Sequence, residues 1–350
     1  MGDQYPTIKA AVVQAAPVFL DRENSTQKAC RLIRNAGRNG ARLTAFPEGF
    51  IPGHPLWYHF HPATGPTSRD MAMQLFKNAV TIPGETTDAL CQAARDAGTY
   101  VVMGLCEKRP GTFGSLFNSQ LFISPQGEIL GKHQKLTPTV GERLVHMGGF
   151  GDTLCAFDTD FGKIAGLICG ESSNPLALFS LIAEGVMILV ISWPNLPGRK
   201  MLNRADRAIM ASRGCAFMSK AYVLNCCGTV TDDMRQMLAY TEEDKPFLAD
   251  ERITGGSSII APNGELLAGP LGHEEDILYA DLDLERSVEE KLIHDLAGHY
   301  NRPDVFCLKV NSQAPAIYLK ENWYQQNDEN HPRPSEKETP EDSETDKIKP

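Results

Sequence analysis

None of the nine cysteines forms a Cys-x-x-Cys pair, which argues against a structural zinc site and against a disulfide framework. No apolar run approaches the length of a membrane span. The opening Met1-Gly-Asp-Gln-Tyr-Pro6 lacks a basic-then-apolar signal region and has Pro6 where a myristoylation signal needs Ser or Thr. A soluble, cytoplasmic protein without a membrane partner is expected. No Gly-x-Gly-x-x-Gly follows a strand-like run, and neither Gly-Lys pair sits in a phosphate-binding loop pattern, so no nucleotide cofactor is expected. Basic stripes are missing as well. With a net charge of −10 the chain is a poor candidate for nucleic-acid binding.

What is there has the composition of a globular protein: 350 residues, 42% apolar and 22% charged. The acidic balance is concentrated at one end. Gln326 to Pro350 holds eight acidic and four basic residues, and Ile348 is its one apolar side chain. Such a segment buries no core and is expected to be disordered. The body, without it, carries about −6.

The body alternates strand-like and helix-like segments. Ile8 to Gln14 reads as a strand, and Ser25 to Gly37 as a helix with Ala29, Leu32, Ile33 and Ala36 on one face. Thr86 to Gly98 is a helix with a glycine stop, followed by a strand from Tyr100 to Cys106. Phe117 to Lys132 turns as a hairpin at Pro125-Gln-Gly, and Ser258 to Ala268 does so at Pro262-Asn-Gly. The two hairpins echo each other in sequence, which hints at a pseudo-repeated half. Leu154 to Asp158 and Ile164 to Cys169 are expected to pair. Asn203 to Ser219 reads as a helix and Tyr222 to Cys227 as a strand. This order suits mixed sheets with helices on their outer faces, an α/β fold.

Three segments leave reactive groups where an apolar strand stops. Ile164-Ala-Gly-Leu-Ile-Cys169 runs straight into Gly-Glu-Ser-Ser-Asn174-Pro175, with Asn174 placed to cap a helix and Pro175 in its first position. Free N–H groups at that helix start would favour a thiolate or an oxyanion. Leu43-Thr-Ala-Phe-Pro-Glu48 breaks at Pro47 and leaves Glu48 at the break. Gly131-Lys-His-Gln-Lys135 enters a Thr/Pro turn that carries Lys135 and then Glu142. Singly, Cys169 reads as a small core residue and Glu48 and Lys135 as surface charges. Together they supply a nucleophile, a base and a cation.

Four blocks in this order resemble the nitrilase superfamily of carbon–nitrogen hydrolases, and its nitrilase branch: Phe46-Pro-Glu48-Gly-Phe-Ile-Pro, His133-Gln-Lys135-Leu-Thr-Pro-Thr, Cys169-Gly-Glu171 with Asn174-Pro-Leu-Ala, and Gly298-His-Tyr-Asn-Arg-Pro-Asp-Val-Phe306. The resemblance runs from about Ile8 to about Val310, so a hydrolase domain over 1–310 and an extension over 311–350 are expected. It implies the family's four-layer α-β-β-α sandwich, self-association into dimers or longer spirals through Ser173 to Ala183, and a Glu48, Lys135, Cys169 triad supported by Glu142. The chain departs from the family's usual pattern at Gln134, at His146-Met147 and at Ser172.

The implied reaction is hydrolysis of an organic nitrile to a carboxylic acid and ammonia, with water as co-substrate. Free cysteine is only a few per cent thiolate at neutral pH, so Glu48 is expected to take the Cys169 proton. Lys135 and the backbone N–H of Gly170 are expected to meet the charge that builds on the nitrile nitrogen. The family places His54-Pro-Leu-Trp-Tyr-His59-Phe-His61 at the pocket border. Trp57, Tyr58 and Phe60, with Trp193, are therefore the candidate substrate contacts. The three histidines lack a matching carboxylate or cysteine set, so no metal is expected. An amidase or carbamoylase would share the triad, and a nitrile- or cyanide-hydrating enzyme would stop at the amide. Thr137 to Arg143 and Gly298 to Phe306 favour the nitrile branch. A non-catalytic scaffold would not need all three reactive positions.

Overall fold

A strand that is apolar on both faces needs a layer on each side, and the longest strands here are of that kind. The computed structural model describes residues 2–194 and 204–316. Among these, six strands form one sheet: β1 (Thr7–Gln14), β2 (Leu43–Ala45), β3 (Tyr100–Lys108), β4 (Leu116–Ile123), β5 (Ile129–Gln134) and β12 (Asp276–Asp283), in the order β12-β1-β2-β3-β4-β5. Six more form the second: β6 (Phe157–Thr159), β7 (Gly162–Ile168), β8 (Val186–Trp193), β9 (Tyr222–Cys227), β10 (Ser258–Ile260) and β11 (Leu266–Ala268), in the order β11-β10-β9-β8-β7-β6.

The two sheets share one topology. β1, β2 and β3 run parallel and lead into the antiparallel pair β4-β5; β7, β8 and β9 run parallel and lead into β10-β11. The hairpins that echo each other in sequence therefore occupy equivalent places.

Alternation along the strands separates the layers. Ile8, Ala10, Val12 and Val102 face Ile188, Val190, Tyr222 and Leu224 between the sheets. Val13, Val101, Met103 and Leu105 point the other way, onto α1 (Arg22–Arg38) and α3 (Glu85–Ala97). On the far side Leu167, Leu189, Ile191 and Val223 pack on α4 (Pro175–Ala183) and α5 (Arg204–Ser219). The result is a four-layer α-β-β-α sandwich.

Some local readings shift. α1 begins three residues before the expected Ser25, because the Asp21 carboxylate accepts from Asn24 N and caps the helix at that point. The strand expected over Leu154 to Asp158 starts only at Phe157, as β6, and a 3-10 turn at Gly151–Thr153 precedes it. Four helices went unread: α2 (Pro66–Asn78), α6 (Asp232–Leu238), α7 (Asp244–Leu248) and α8 (Glu285–Ile293). So did β8, between β7 and β9, and β12, which pairs antiparallel with β1. The chain divides into units Met1–Ala314 and Pro315–Pro350, and the segment expected to be disordered from 326 lies outside the described residues. Among the described residues no helix is long and apolar enough to cross a membrane.

The segment after β2 lies hard against β3. Phe46 N donates to Val102 O, Ile51 N to Gly104 O and Cys106 N to Ile51 O. A Cβ on Gly104 would stand 1.9 Å from the carbonyl oxygen of Pro47, a backbone atom that cannot move aside cheaply. Gly104→Ala is expected to lower stability by about 1–3 kcal/mol through overpacking. The denaturant midpoint at unchanged m-value reads this, and an unaltered midpoint would refute the packing argument.

Candidate active site

The parallel strands end at one edge of the sandwich, and their ends carry the reactive groups, as is usual where ligands bind α/β sheets. Glu48 lies just past β2, Lys135 directly after β5 and Cys169 directly after β7, with Trp193 closing β8. The two sheets are sewn together beneath this edge. Gln120 Nε2 donates to Ser192 Oγ (2.8 Å), Ser192 Oγ donates to Phe46 O (2.8 Å), and Glu48 N donates to Trp193 O (3.2 Å).

At this edge is a cavity of about 300 Å³, whose lining includes Glu48, Lys135, Glu142, Cys169, Gly170 and Trp193. The Lys135 ammonium donates to Glu48 Oε1 at 2.9 Å and to Glu142 Oε2 at 2.6 Å, and all three side chains are buried. Burial alone would lower the Lys135 pKa; Glu48, then Cys169 and Glu142, hold it above the usual lysine range, so it stays charged. Burial likewise pushes the Glu142 carboxyl up, but the Lys135 charge and the His146 hydrogen bond hold it well below the carboxylate range.

Glu142 has no acceptor capacity to spare. Its Oε2 also accepts from Thr139 N (2.8 Å), and its Oε1 accepts from Asn118 Nδ2 (2.7 Å) and lies 3.2 Å from His146 Nδ1. Asn118 Nδ2 donates to Glu48 Oε1 as well, at 2.6 Å, and so bridges the two carboxylates. This residue was missed in the sequence, where the signal was three polar residues, Asn118-Ser119-Gln120, in mid-strand between Phe117 and Leu121. All three are buried.

Cys169 opens a 3-10 turn, Cys169–Ser173, and helix α4 starts only at Pro175. The expected Asn174 cap is present, but its side chain occupies the N–H groups of Leu176 and Ala177 (3.0 and 3.4 Å). The donors nearest Cys169 are therefore those of the turn, Gly170 among them, and not those of the α-helix. Cys169 itself has φ 55°, a left-handed conformation that side chains rarely adopt.

Glu171 holds this turn. Its Oε1 accepts from Ile168 N and lies 2.6 Å from His133 Nε2, while its Oε2 accepts from Leu136 N (2.9 Å). One carboxylate thus ties the residue before Cys169 to the residue after Lys135. Burial would lower the His133 pKa, but the Glu171 charge and hydrogen bond raise it above the usual imidazole value.

The three departures from the family pattern each take a local polar role. Ser172 Oγ donates to Cys169 O (2.8 Å), Gln134 Nε2 donates to the buried carboxylate of Glu107 (2.9 Å), and His146 contacts Glu142.

Among the aromatic residues expected at the substrate, Trp193 lines the cavity. Trp57, Tyr58 and Phe60 do not: Trp57 and Phe60 are buried in a satellite core, and Tyr58 packs on Trp57 and Gly141. Their segment contributes His54 and His59 instead. Burial holds His54 well below the usual imidazole value, so it is neutral at pH 7. Ligand atoms of Glu48, His54 and Glu142 lie within 4.8 Å of one another, a spacing that suits a metal. The Lys135 ammonium, however, already bridges the two carboxylates, so this donor set serves the protein's own cation.

The site can be set beside known proteins. A family model described as carbon-nitrogen hydrolase matches residues 9–290. The chain is 37% identical over 324 residues to a protein named Nitrilase 2 from an unknown prokaryotic organism, a match spanning 91% of this chain and 97% of that protein. It is 35% identical over 309 residues to a nitrilase of Bacillus sp. (strain OxB-1), spanning 88% and 89%. Among solved structures, Nit3 of Saccharomyces cerevisiae, a member of branch 10 of the nitrilase superfamily, matches with a TM-score of 0.65 at 20% identity, over 85% of this chain and 97% of that one.

Two outcomes test this geometry. Asn118→Leu removes one of the two donors that Glu48 and Glu142 share among the described residues and leaves Lys135 as the other, and kcat is expected to fall about 10²-fold from misplacement of the carboxylates. An unimpaired kcat would remove Asn118 from the site. Because the folded-state pKa of His133 is raised, its pair with Glu171 contributes stability that is full below about pH 6.5 and lost as pH rises through the raised value. Denaturant midpoints followed from pH 6 to pH 9 should show that decline in the native protein and a flatter profile in His133→Gln.

Proposed function

This chain belongs to the carbon–nitrogen hydrolase family and is a hydrolase of carbon–nitrogen bonds, and from that premise we propose that it works as a nitrilase, converting an organic nitrile and two waters to a carboxylic acid and ammonia. The observation that carries this reading is one buried ammonium held by two carboxylates in the cavity that also contains Cys169.

The roles follow from hydrogen-bond capacity. Glu142 is fully engaged by Lys135, Thr139 N, Asn118 and His146, so it holds the ammonium in place and does not carry protons. Glu48, the other carboxylate of the cavity, accepts from Lys135 and Asn118 through Oε1 and is the general base, a contribution of about 10²–10⁴-fold. It takes the Sγ proton as sulfur adds to the nitrile carbon. The electron pair released to nitrogen is met by the Lys135 ammonium and the Gly170 N–H, at about 10²–10³-fold per donor. Water, activated by Glu48, adds to the resulting thioimidate. Collapse of that adduct expels ammonia and leaves a thioester. A second water releases the acid and returns the thiol.

Self-association is part of the proposal. On α4, Leu178 and Ile182 are taken into the core, while Leu176 is exposed and free to meet a second copy. A cytoplasmic setting suits a chain with eight of its nine cysteines at least half-buried and none in a disulfide.

The test is mass spectrometry and product analysis of the purified protein on matched nitriles and amides. Acid and ammonia from nitriles, with a thioimidate or thioester on Cys169, are expected. Cys169→Ala should show neither turnover nor adduct, and a Cys169→Ala enzyme that still made acid from nitrile would overturn the mechanism. Turnover of amides alone would move the reaction to the amidase class.

A further inference from the structure

The cavity contains a second cation that the reaction above does not use. Arg207 and Ala211 stand four residues apart on α5, hence on one face of the helix, and both line the cavity. Between them and the sheet, Ala208 and Cys215 are buried against the same core as Cys169, and the Cys215 thiol donates to Ser172 O (3.3 Å), which fixes the helix on the nucleophile's turn. Ala211 presents little more than backbone, so the Arg207 side chain is not blocked by its neighbour one turn on.

The state of the two cations differs. Lys135 is buried and held by two carboxylates. Arg207 is exposed, and among the described residues it has no ion pair and no hydrogen bond. The carboxylates that share its cavity, Glu48 and Glu142, are both engaged with Lys135. Its neighbour Asp206 faces a different groove, with Met210 and Arg213. Beside polar residues such as His59 and Ser173, the cavity has an apolar share of wall in Trp193, Pro194, Ala211 and Val140, the last 71% exposed and held at φ 50°. A β-branched residue in that conformation is rare, which marks the wall as a shaped one.

We propose that Arg207 seats an anionic group of the substrate, so that the nitriles this enzyme takes are cyano-carboxylates: a nitrile at Cys169, a short apolar body along Val140 and Trp193, and a carboxylate on Arg207. A guanidinium presents its N–H groups as a planar fork that matches a carboxylate in a bidentate pair. Such a substrate gives Arg207 a partner, which it does not have among the described residues, and keeps its own charge away from Glu48 and Glu142. A volume of about 300 Å³ is at the small end for ligand pockets, as a small cyano acid requires.

The proposal rests on the nitrilase reading for the reaction, and the experiment separates the two. The full chain is assayed on pairs that differ only in charge: 4-cyanobutanoate against 5-oxohexanenitrile, and 4-cyanobenzoate against 4-acetylbenzonitrile. The acids are expected to have the higher kcat/KM. In Arg207→Gln the acid-to-ketone ratio of kcat/KM should fall about 10- to 100-fold, chiefly through KM, as loss of a charged hydrogen-bond pair implies. Arg207→Lys should restore part of it. An unchanged ratio, or an equal fall for acid and ketone, overturns the anion seat while nitrile turnover keeps the reaction. If only the corresponding primary amides are hydrolysed, with an acid preference that Arg207→Gln removes, the seat stands and the nitrilase reading fails. Titration of the same pairs into Cys169→Ala protein reads the seat without turnover, and equal Kd values for acid and ketone would refute it.

Discussion

The site depends on keeping one ammonium charged inside the protein. Taking a charge out of water costs several kcal/mol even after relaxation, and a buried pair repays this only when every partner is in place. Lys135, Glu48 and Glu142 are 1%, 1% and 3% exposed, so none can turn to solvent for compensation. Two carboxylates against one ammonium leave an excess negative charge, and the surrounding dipoles are aimed at it: Asn118 Nδ2 touches both carboxylates, and Thr139 N reaches Glu142. Much of the local fold follows from this need. Glu48 comes from one strand end, Lys135 from another and Glu142 from a 3-10 turn, and they must meet within hydrogen-bond distance. That is why the chain after β2 is pressed so closely onto β3 at Gly104, and why Lys135 is held by its backbone too, its N donating to Asn118 O and its O accepting from Gly149 N.

The turn that carries Cys169, the proposed nucleophile, is held by a separate carboxylate that is chained to the first cluster. A left-handed backbone at a non-glycine residue costs on the order of 1–3 kcal/mol and persists only where its surroundings leave no alternative. At Cys169 those surroundings are Glu171 on Ile168 N and Ser172 Oγ on the Cys169 carbonyl. Because Glu171 also binds Leu136 N, the thiol and the ammonium cannot drift apart independently. The positions of Lys135 and Cys169 thus depend on Glu142 and Glu171, each held by several hydrogen bonds, and less on the turns that carry them.

Reactive groups at the ends of apolar strands were legible in the sequence, since a charge or thiol directly after a buried run has few places to go. Glu48, Lys135 and Cys169 stood out in this way, though singly they read as surface charges or core and were joined only by the resemblance to the nitrilase superfamily; the echoing hairpins marked the two equivalent sheets. Asn118 was not, because a polar residue inside a strand reads as the solvent face of a hairpin until the second sheet is seen to cover it. The aromatic segment misled for a geometric reason. Leu56–His59 is a 3-10 turn, in which residues three apart eclipse, so Trp57 and Phe60 go together into the core and His59 is left at the cavity. The short helices α6 and α7, at seven and five residues, carry too little periodicity to be read at all.

The distribution of hydrogen bonds also decides where substrate choice must reside. Glu142, Asn118, Glu171 and His133 are committed to two or more partners each, and changing any of them strands a buried polar group, at about 1–3 kcal/mol for a neutral one and more for a charge. Val140, Ala211 and Arg207 line the same cavity and carry no such obligations among the described residues. They can be exchanged for residues of other size or charge without disturbing the buried cluster. Hydrogen bonding is thus saturated around the buried carboxylates and the ammonium, Thr139 N included. On the proposed reading, room to vary the substrate is left to Val140 and to one face of α5.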